Sequence, residues 1–237
     1  YTDIYVTNDY YTPDFLYINQ KNGTFKEQQQ EYFKHTSTNA MGSDAADYNN
    51  DGLIDFMVLD MLPVNNYERK LLVGPFNFDF YLFRWMNGYG HQNMKNTLQL
   101  NRGNGRFSEI GCFSGVEATD WSWAPLMADF DNDGWKDIYV TTGYYREVTD
   151  RDFINYDANF LQKNNREMTF QELAKQLPVK KTQNYAFKNN TDLTFSDAST
   201  EWGLNEVSVS NGAAYADLDN DGDLDLIACN TNEPVFL

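Results

Sequence analysis

Asp217-Leu218-Asp219-Asn220-Asp221-Gly222-Asp223-Leu224-Asp225 places carboxylates at its first, third, fifth and ninth positions and a glycine at its sixth. In such a loop alternate side chains converge, the glycine admits a sharp turn, and the late carboxylate closes a shell around a hard cation. Without a cation, like charges this close repel. The pattern returns at Asp129, Asp131, Asp133, Gly134 and Asp137. It returns again at Asp47, Asn49, Asp51, Gly52 and Asp55, with an amide oxygen at position three. Backbone carbonyls at position seven, those of Leu53, Trp135 and Asp223, are expected to complete the shells. The expected ion is Ca²⁺, one in each of the three loops, with a Kd on the order of 10⁻⁴ to 10⁻³ M as in extracellular modules.

An EF-hand loop ends in a bidentate glutamate at position twelve and runs between helices. Here the twelfth residues are Val58, Val140 and Ala228. Each loop instead runs into a short apolar stretch, Phe56-Met57-Val58-Leu59, Ile138-Tyr139-Val140 or Leu226-Ile227-Ala228, which reads as buried strand. The loops therefore belong to β-hairpins.

A second landmark fixes the repeat. Asn19-x-x-Asn22-Gly23-Thr24-Phe25 recurs as Asn101-x-x-Asn104-Gly105-Arg106-Phe107 and, more loosely, as Asn189-x-x-Asp192-Leu193-Thr194-Phe195. Asn-Gly between extended segments is a strong hairpin signal. The phenylalanine stands 22 residues before the first loop aspartate each time, and an alanine (Ala46, Ala128 or Ala216) precedes that aspartate. Each unit thus reads as strand, loop, strand, connection, strand, turn, strand, the pattern of a four-stranded antiparallel β-propeller blade. Tyr1 to Thr7 match Trp135 to Thr141, which puts Asp3 at position nine of a further loop. The expected fold class is all-β: a partial blade at 1–35, a blade at 36–117 with an insertion at 61–95, a blade at 118–205 with an insertion at 144–184, and a partial blade at 206–237.

Both insertions interrupt the connection between second and third strands, so they should share one face, and long loops on a rigid scaffold carry binding. The first contains Pro63, Pro75 and the aromatic cluster Phe76, Phe78, Phe80, Tyr81, Phe83 and Trp85. The second reads as helical: Thr169-x-x-Glu172 is a capping box, Pro178 stops that helix, and Asp150 to Gln162 forms another through Phe153, Ile154, Phe160 and Leu161.

The chain of 237 residues carries 35 acidic against 18 basic residues, a formal charge of -17, and much of that acidity lies in the loops. This sign argues against nucleic acid, whose phosphates need basic patches. The 16 Tyr and 17 Phe read first as core and second as a carbohydrate-stacking surface. Cys112 and Cys229 are too few for a disulfide scaffold and read as buried free thiols, although pairing stays open. No apolar run is long enough to span a membrane.

The loops, with Ser210-Asn211-Gly212-Ala213-Ala214-Tyr215-Ala216 before the third, resemble FG-GAP repeats, the blades of the integrin α-chain propeller. Met41 to Asp47, Val58 to Pro63 and Thr119 to Pro125 are similar to bacterial VCBS/FG-GAP proteins of the ASPIC/UnbV type, abundant in Bacteroidetes. Trp123-Ala124 and Asn211-Gly212 stand where the repeat name expects Phe-Gly. The resemblance implies seven blades and a secreted or lipid-anchored protein on the cell or outer-membrane surface, often beside nutrient uptake systems of the SusC/SusD kind.

The leading functional expectation is a calcium-stabilised, non-enzymatic module that binds a protein or glycan through its insertions. The alternative is a polysaccharide lyase or hydrolase, which would draw on Asp79, Glu147, Asp150, Asp152 and Asp157, although these form no recognisable constellation. A third reading is a structural subunit of an outer-membrane assembly. His35 and His91 read as isolated, either on the surface or hydrogen-bonded, and no triad or phosphate-cradling loop is present.

Overall fold

Wherever an apolar run follows an acidic loop, the run is a strand and the loop joins it to the strand before. The computed structural model describes residues 1–10, 12–71, 78–177 and 179–237. The protein is mostly β, made of several small antiparallel sheets with few helices. β1 (Ile4–Val6), β2 (Phe15–Asn19) and β3 (Phe25–Glu27) form the first sheet in that order. After α1 (Gln29–Tyr32) and β4 (His35–Ser37) come β5 (Ser43–Ala46) and β6 (Asp55–Val58) of the second sheet. An excursion carries α2 (Asn66–Leu71), α3 (Phe78–Met86) and β7 (His91–Asn93). The second sheet then closes with β8 (Thr97–Asn101) and β9 (Phe107–Glu109), in the order β5-β6-β8-β9.

The plan repeats after α4 (Gly111–Ser114). β10 (Ser122–Ala128) and β11 (Asp137–Thr142) precede a second excursion, with α5 (Arg151–Asn164), α6 (Phe170–Gln176) and β12 (Thr182–Gln183). β13 (Tyr185–Asn189) and β14 (Phe195–Asp197) complete the third sheet, β10-β11-β13-β14. Then follow β15 (Val207–Ser208), which pairs with β12, and the hairpin β16 (Ser210–Ala216) and β17 (Asp225–Asn230). Phe236 bridges to Ala228 where a third strand is expected.

The registers are the same in every unit. The alanine before each loop faces the ninth-position aspartate: Ala46 with Asp55, Ala128 with Asp137, Ala216 with Asp225. A small residue there leaves the carboxylate room to turn back toward the loop. In the following hairpin each asparagine faces its phenylalanine: Asn19 with Phe25, Asn101 with Phe107, Asn189 with Phe195.

Successive sheets pack face to face, because the central strands are apolar on both sides. Tyr5, Phe33, Phe56 and Phe107 fill the space between the first two sheets, with ring centroids as close as 4.7 Å. Met57, Leu59, Leu98, Ile138, Val140 and Phe187 form the core between the second and third. Tyr139, which points the other way from Ile138 and Val140, packs with Ala186 and Ala228 toward the fourth. The first strands of neighbouring sheets lie alongside one another, and Met127 donates its N–H to the Asp44 carboxylate at 2.8 Å. A Cβ on Gly42 would stand 2.0 Å from the Trp123 carbonyl oxygen, so only glycine fits.

In the second excursion Thr169 and Glu172 make the expected capping box, and Asp150 caps α5 by accepting from the N–H groups of Asp152 and Phe153. α5 buries none of its residues, so its apolar side chains lie at the surface and not in a core. In the first excursion, expected like the second to be partly helical, the aromatic stretch is a helix, α3. Pro75, Phe76 and Pro178 lie outside the described residues.

Two expectations are corrected. Cys112 and Cys229 are free, but both are exposed, not buried. Strand alternation turns Ala228 inward and Cys229 outward, while α4 buries Gly111 and Ser114 and leaves Cys112 outside. His35 is exposed and His91 hydrogen-bonded, as expected, but the two are not isolated from each other. β4 and β7 pair in parallel and set the two opposite each other, with rings stacked at 5.4 Å. His91 Nδ1 also shares a hydrogen bond of 2.6 Å with the Tyr81 hydroxyl.

Candidate metal centre

Each acidic loop is wound by its own side chains. The first aspartate accepts from the N–H groups at positions five and six: Asp47 from Asp51 and Gly52, Asp129 from Asp133 and Gly134, Asp217 from Asp221 and Gly222, at 2.8 to 3.2 Å. The fifth aspartate accepts from the N–H at position seven, that of Leu53, Trp135 or Asp223. Position four is left-handed in all three loops, with Asn50, Asn132 and Asn220 at φ of 57°, 59° and 63°. Asparagine tolerates that conformation better than most side chains. The sixth-position glycines lie at φ of 85°, 89° and 100°.

This winding gathers carboxylates. Ligand oxygens of Asp129, Asp131 and Asp137 lie within 4.8 Å of one another, as do those of Asp217, Asp219 and Asp221. Loop one shares the winding but is not among these close carboxylate clusters; its Asn49 donates its amide N–H to Asp51 at 3.0 Å. Burial, with neighbouring carboxylates adding to it, pushes the Asp55 and Asp137 carboxyls up to about 6. The donors are all hard oxygens, the set suited to Ca²⁺ and unsuited to softer metals.

Sequence reasoning missed three features here. The ninth-position aspartates have a second role: Asp3, Asp55 and Asp137 accept the backbone N–H of Asn19, Asn101 and Asn189 at 2.8, 2.7 and 2.9 Å. Each asparagine amide returns a bond to the carbonyl before its aspartate, that of Thr2, Ile54 or Lys136. The recurrence of these asparagines is visible in the sequence, where turn chemistry alone accounts for it. Next, the position-four asparagines link loops: Asn50 donates to the Gly134 carbonyl at 3.0 Å and Asn132 to the Asp223 carboxylate at 2.7 Å. Last, Lys188 of β13 pairs with Asp131 and Asp133. Ile18 and Leu100 hold the equivalent place in the other units, so aligning the repeats exposes the departure.

An FG-GAP-like repeat model matches residues 1–58 and 79–140, about half of the chain. The chain belongs to the FG-GAP-like repeat family. None of the curated proteins matches it. The FG-GAP-like repeats account for the recurring sheets, and such repeats make β-propeller-like binding modules. The matched residues include the first two loops and leave out residues 59–78, which hold the first part of the insertion at 61–95.

The FG-GAP-like units carry their insertions opposite the loops, at the other ends of the second and third strands. There the two excursions meet. Glu68 of α2 pairs with Lys180 at 2.8 Å, beside a cleft of about 500 Å³ lined by Tyr67, Phe153 and Leu177. Glu147, Asp150 and Asp152 also line it. Asp150 is occupied as the α5 cap, and Glu147 accepts from the N–H and hydroxyl of Thr149. Asp79 and Asp157 are not among the described lining residues. No helix among the described residues is long and apolar enough to cross a membrane.

Proposed function

We propose that this chain is a calcium-stabilised, non-enzymatic β-propeller module that binds a protein or glycan through its insertion face. The observation that carries the reading is the threefold recurrence of one loop geometry on the face opposite the insertions, with carboxylate oxygens gathered within 4.8 Å in the second and third loops. Asp47, Asn49, Asp51 and Asp55 would hold the first ion, Asp129, Asp131, Asp133 and Asp137 the second, and Asp217, Asp219, Asp221 and Asp225 the third, with position-seven carbonyls completing each shell. The ion would neutralise clustered carboxylates and fix each hairpin, leaving the opposite face rigid for recognition. Loops of this weak-binding class work where calcium is plentiful, so the protein would act outside the cell or on an outer-membrane surface. There it would serve as an accessory to a larger assembly, such as a nutrient uptake complex.

Calcium titration calorimetry tests the metal part. Three bound ions are expected, falling to two when Asp129, Asp131 and Asp133 are all replaced by asparagine. Magnesium binding in place of calcium, or a stoichiometry unmoved by the substitutions, would contradict it.

A further inference from the structure

The first insertion borders a second, open pocket, of about 620 Å³, between α2, α3 and β7. In a chain of charge -17, Arg69, Arg84 and Lys95 line it, and no carboxylate is among its described lining residues. Lys95 is balanced by Glu109 beyond the wall. Arg84 is buried, donates to the Tyr10 carbonyl and lies over the Phe80 ring at 4.3 Å, so it serves as a fixed part of the wall. Arg69 is only half-buried and is oriented by the Pro63 carbonyl at 2.5 Å, which leaves it the group best placed to meet an anion.

Gln92 lines the same pocket. It is 4% exposed, and neither its amide oxygen nor its amide nitrogen has a hydrogen-bond partner among the described residues. Two orphaned polar atoms on one buried side chain are costly unless something supplies both a donor and an acceptor. Phe78 and Tyr81 add aromatic surface, and Phe78 stands 70% exposed.

We propose that this pocket binds the carboxylate-bearing ring of an acidic sugar, a uronate. This rests on the reading of the insertion face as the binding face and names its ligand class. The carboxylate meets the Arg69 guanidinium, a partner whose fork matches its two oxygens. Ring hydroxyls, each both donor and acceptor, satisfy the Gln92 amide. The apolar face of the sugar lies against Phe78 or Tyr81. A neutral sugar would forgo the charge-assisted bonds to Arg69, and a bare anion would leave Gln92 without a donor.

Titration calorimetry on the whole chain, in calcium-containing buffer, tests this with three probes: a glucuronate-terminated disaccharide, its methyl ester and inorganic phosphate. Saturable binding of the acid is expected, with the ester at least about tenfold weaker. Gln92→Leu should weaken binding of the acid at least about tenfold while leaving the melting temperature unchanged or raised, because it removes two unsatisfied atoms. Arg69→Met should give the same loss and serves as the second variant. Equal binding of acid and ester, phosphate binding as tightly as the acid, or undiminished binding by both variants would overturn the proposal. Melting with and without calcium on the same samples separates the two readings. Lost uronate binding with an intact calcium response counts against the pocket, and the reverse counts against the metal loops.

Discussion

Asp137 Oδ1 accepts the backbone N–H of Asn189 at 2.9 Å, across the second and third strands of one sheet. Asn189 answers through its amide, which donates to the Lys136 carbonyl and to the Tyr48 carbonyl of the preceding unit, both at 2.9 Å. The residue that ends the acidic loop is thereby tied to the start of the next hairpin, and one side chain joins two units. Whatever orders the loop also orders the sheet.

Asn189→Ala should therefore be strongly destabilising. The side chain is 2% exposed, and its loss strands the buried Tyr48 carbonyl and the half-buried Lys136 carbonyl, as well as the Thr191 N–H that it accepts. A loss of about 2 to 3 kcal/mol is expected in urea unfolding. Asn19→Ala, at a half-buried site whose amide donates to the exposed Thr2 carbonyl, should cost less than about 1 kcal/mol. Equal costs would show that the link between units contributes nothing.

Lys188 would compete with a metal ion for loop two, since its ammonium contacts Asp131 and Asp133. Lys188→Met should raise the calcium affinity of that loop severalfold. In chelator it should change stability by less than about 1 kcal/mol, as expected of a partly exposed pair. The check is calcium titration of single-loop variants. A weaker loop two in the methionine variant would contradict the competition.

Gly134 holds φ of 89°, and open space surrounds the point where a methyl group would stand, so strain alone decides its replacement. Gly134→Ala should cost about 1 to 2 kcal/mol and weaken calcium binding at loop two. Denaturant unfolding with and without calcium measures both effects.

Much of this arrangement is legible in the sequence, because its determinants are local. The loops, the asparagine hairpins, the capping box at Thr169 and the cap at Asp150 each need only a few consecutive residues. What escapes is non-local or weakly coded. The β4–β7 pairing that sets His35 beside His91 joins segments far apart in the chain and leaves no periodic trace. α3 draws five of its nine residues from Phe, Tyr and Trp, which have middling helix propensity, so a partly helical excursion is legible but the place of its helix is not. The orphaned amide of Gln92 depends on an excursion folding over it. The exposure of both cysteines follows from strand phase and helix face, which a residue's type does not give.

Asp14 and Asp60 are buried away from the loops, and burial pushes both carboxyls up to about 6. Asp60 accepts from the N–H groups of Thr38 and Asn39 at 3.0 Å and from the Ser37 hydroxyl. Because the folded pKa exceeds the unfolded one, each contributes stability that is full below the unfolded value and lost as pH rises through about 6. In chelator, the unfolding free energy should therefore fall between about pH 4 and 6. Asp60→Asn should make that fall shallower and cost about 1 to 3 kcal/mol at the acidic end. A slope unchanged by the substitution would mean that Asp60 titrates alike in both states.

The most direct test of the metal loops is thermal unfolding of the protein in about 10 mM calcium and then in chelator. At ten to a hundred times Kd, each site should add about 1 to 3 kcal/mol, so three sites should raise the melting temperature by many degrees. Melting that is identical in calcium and in chelator would contradict the account at its centre.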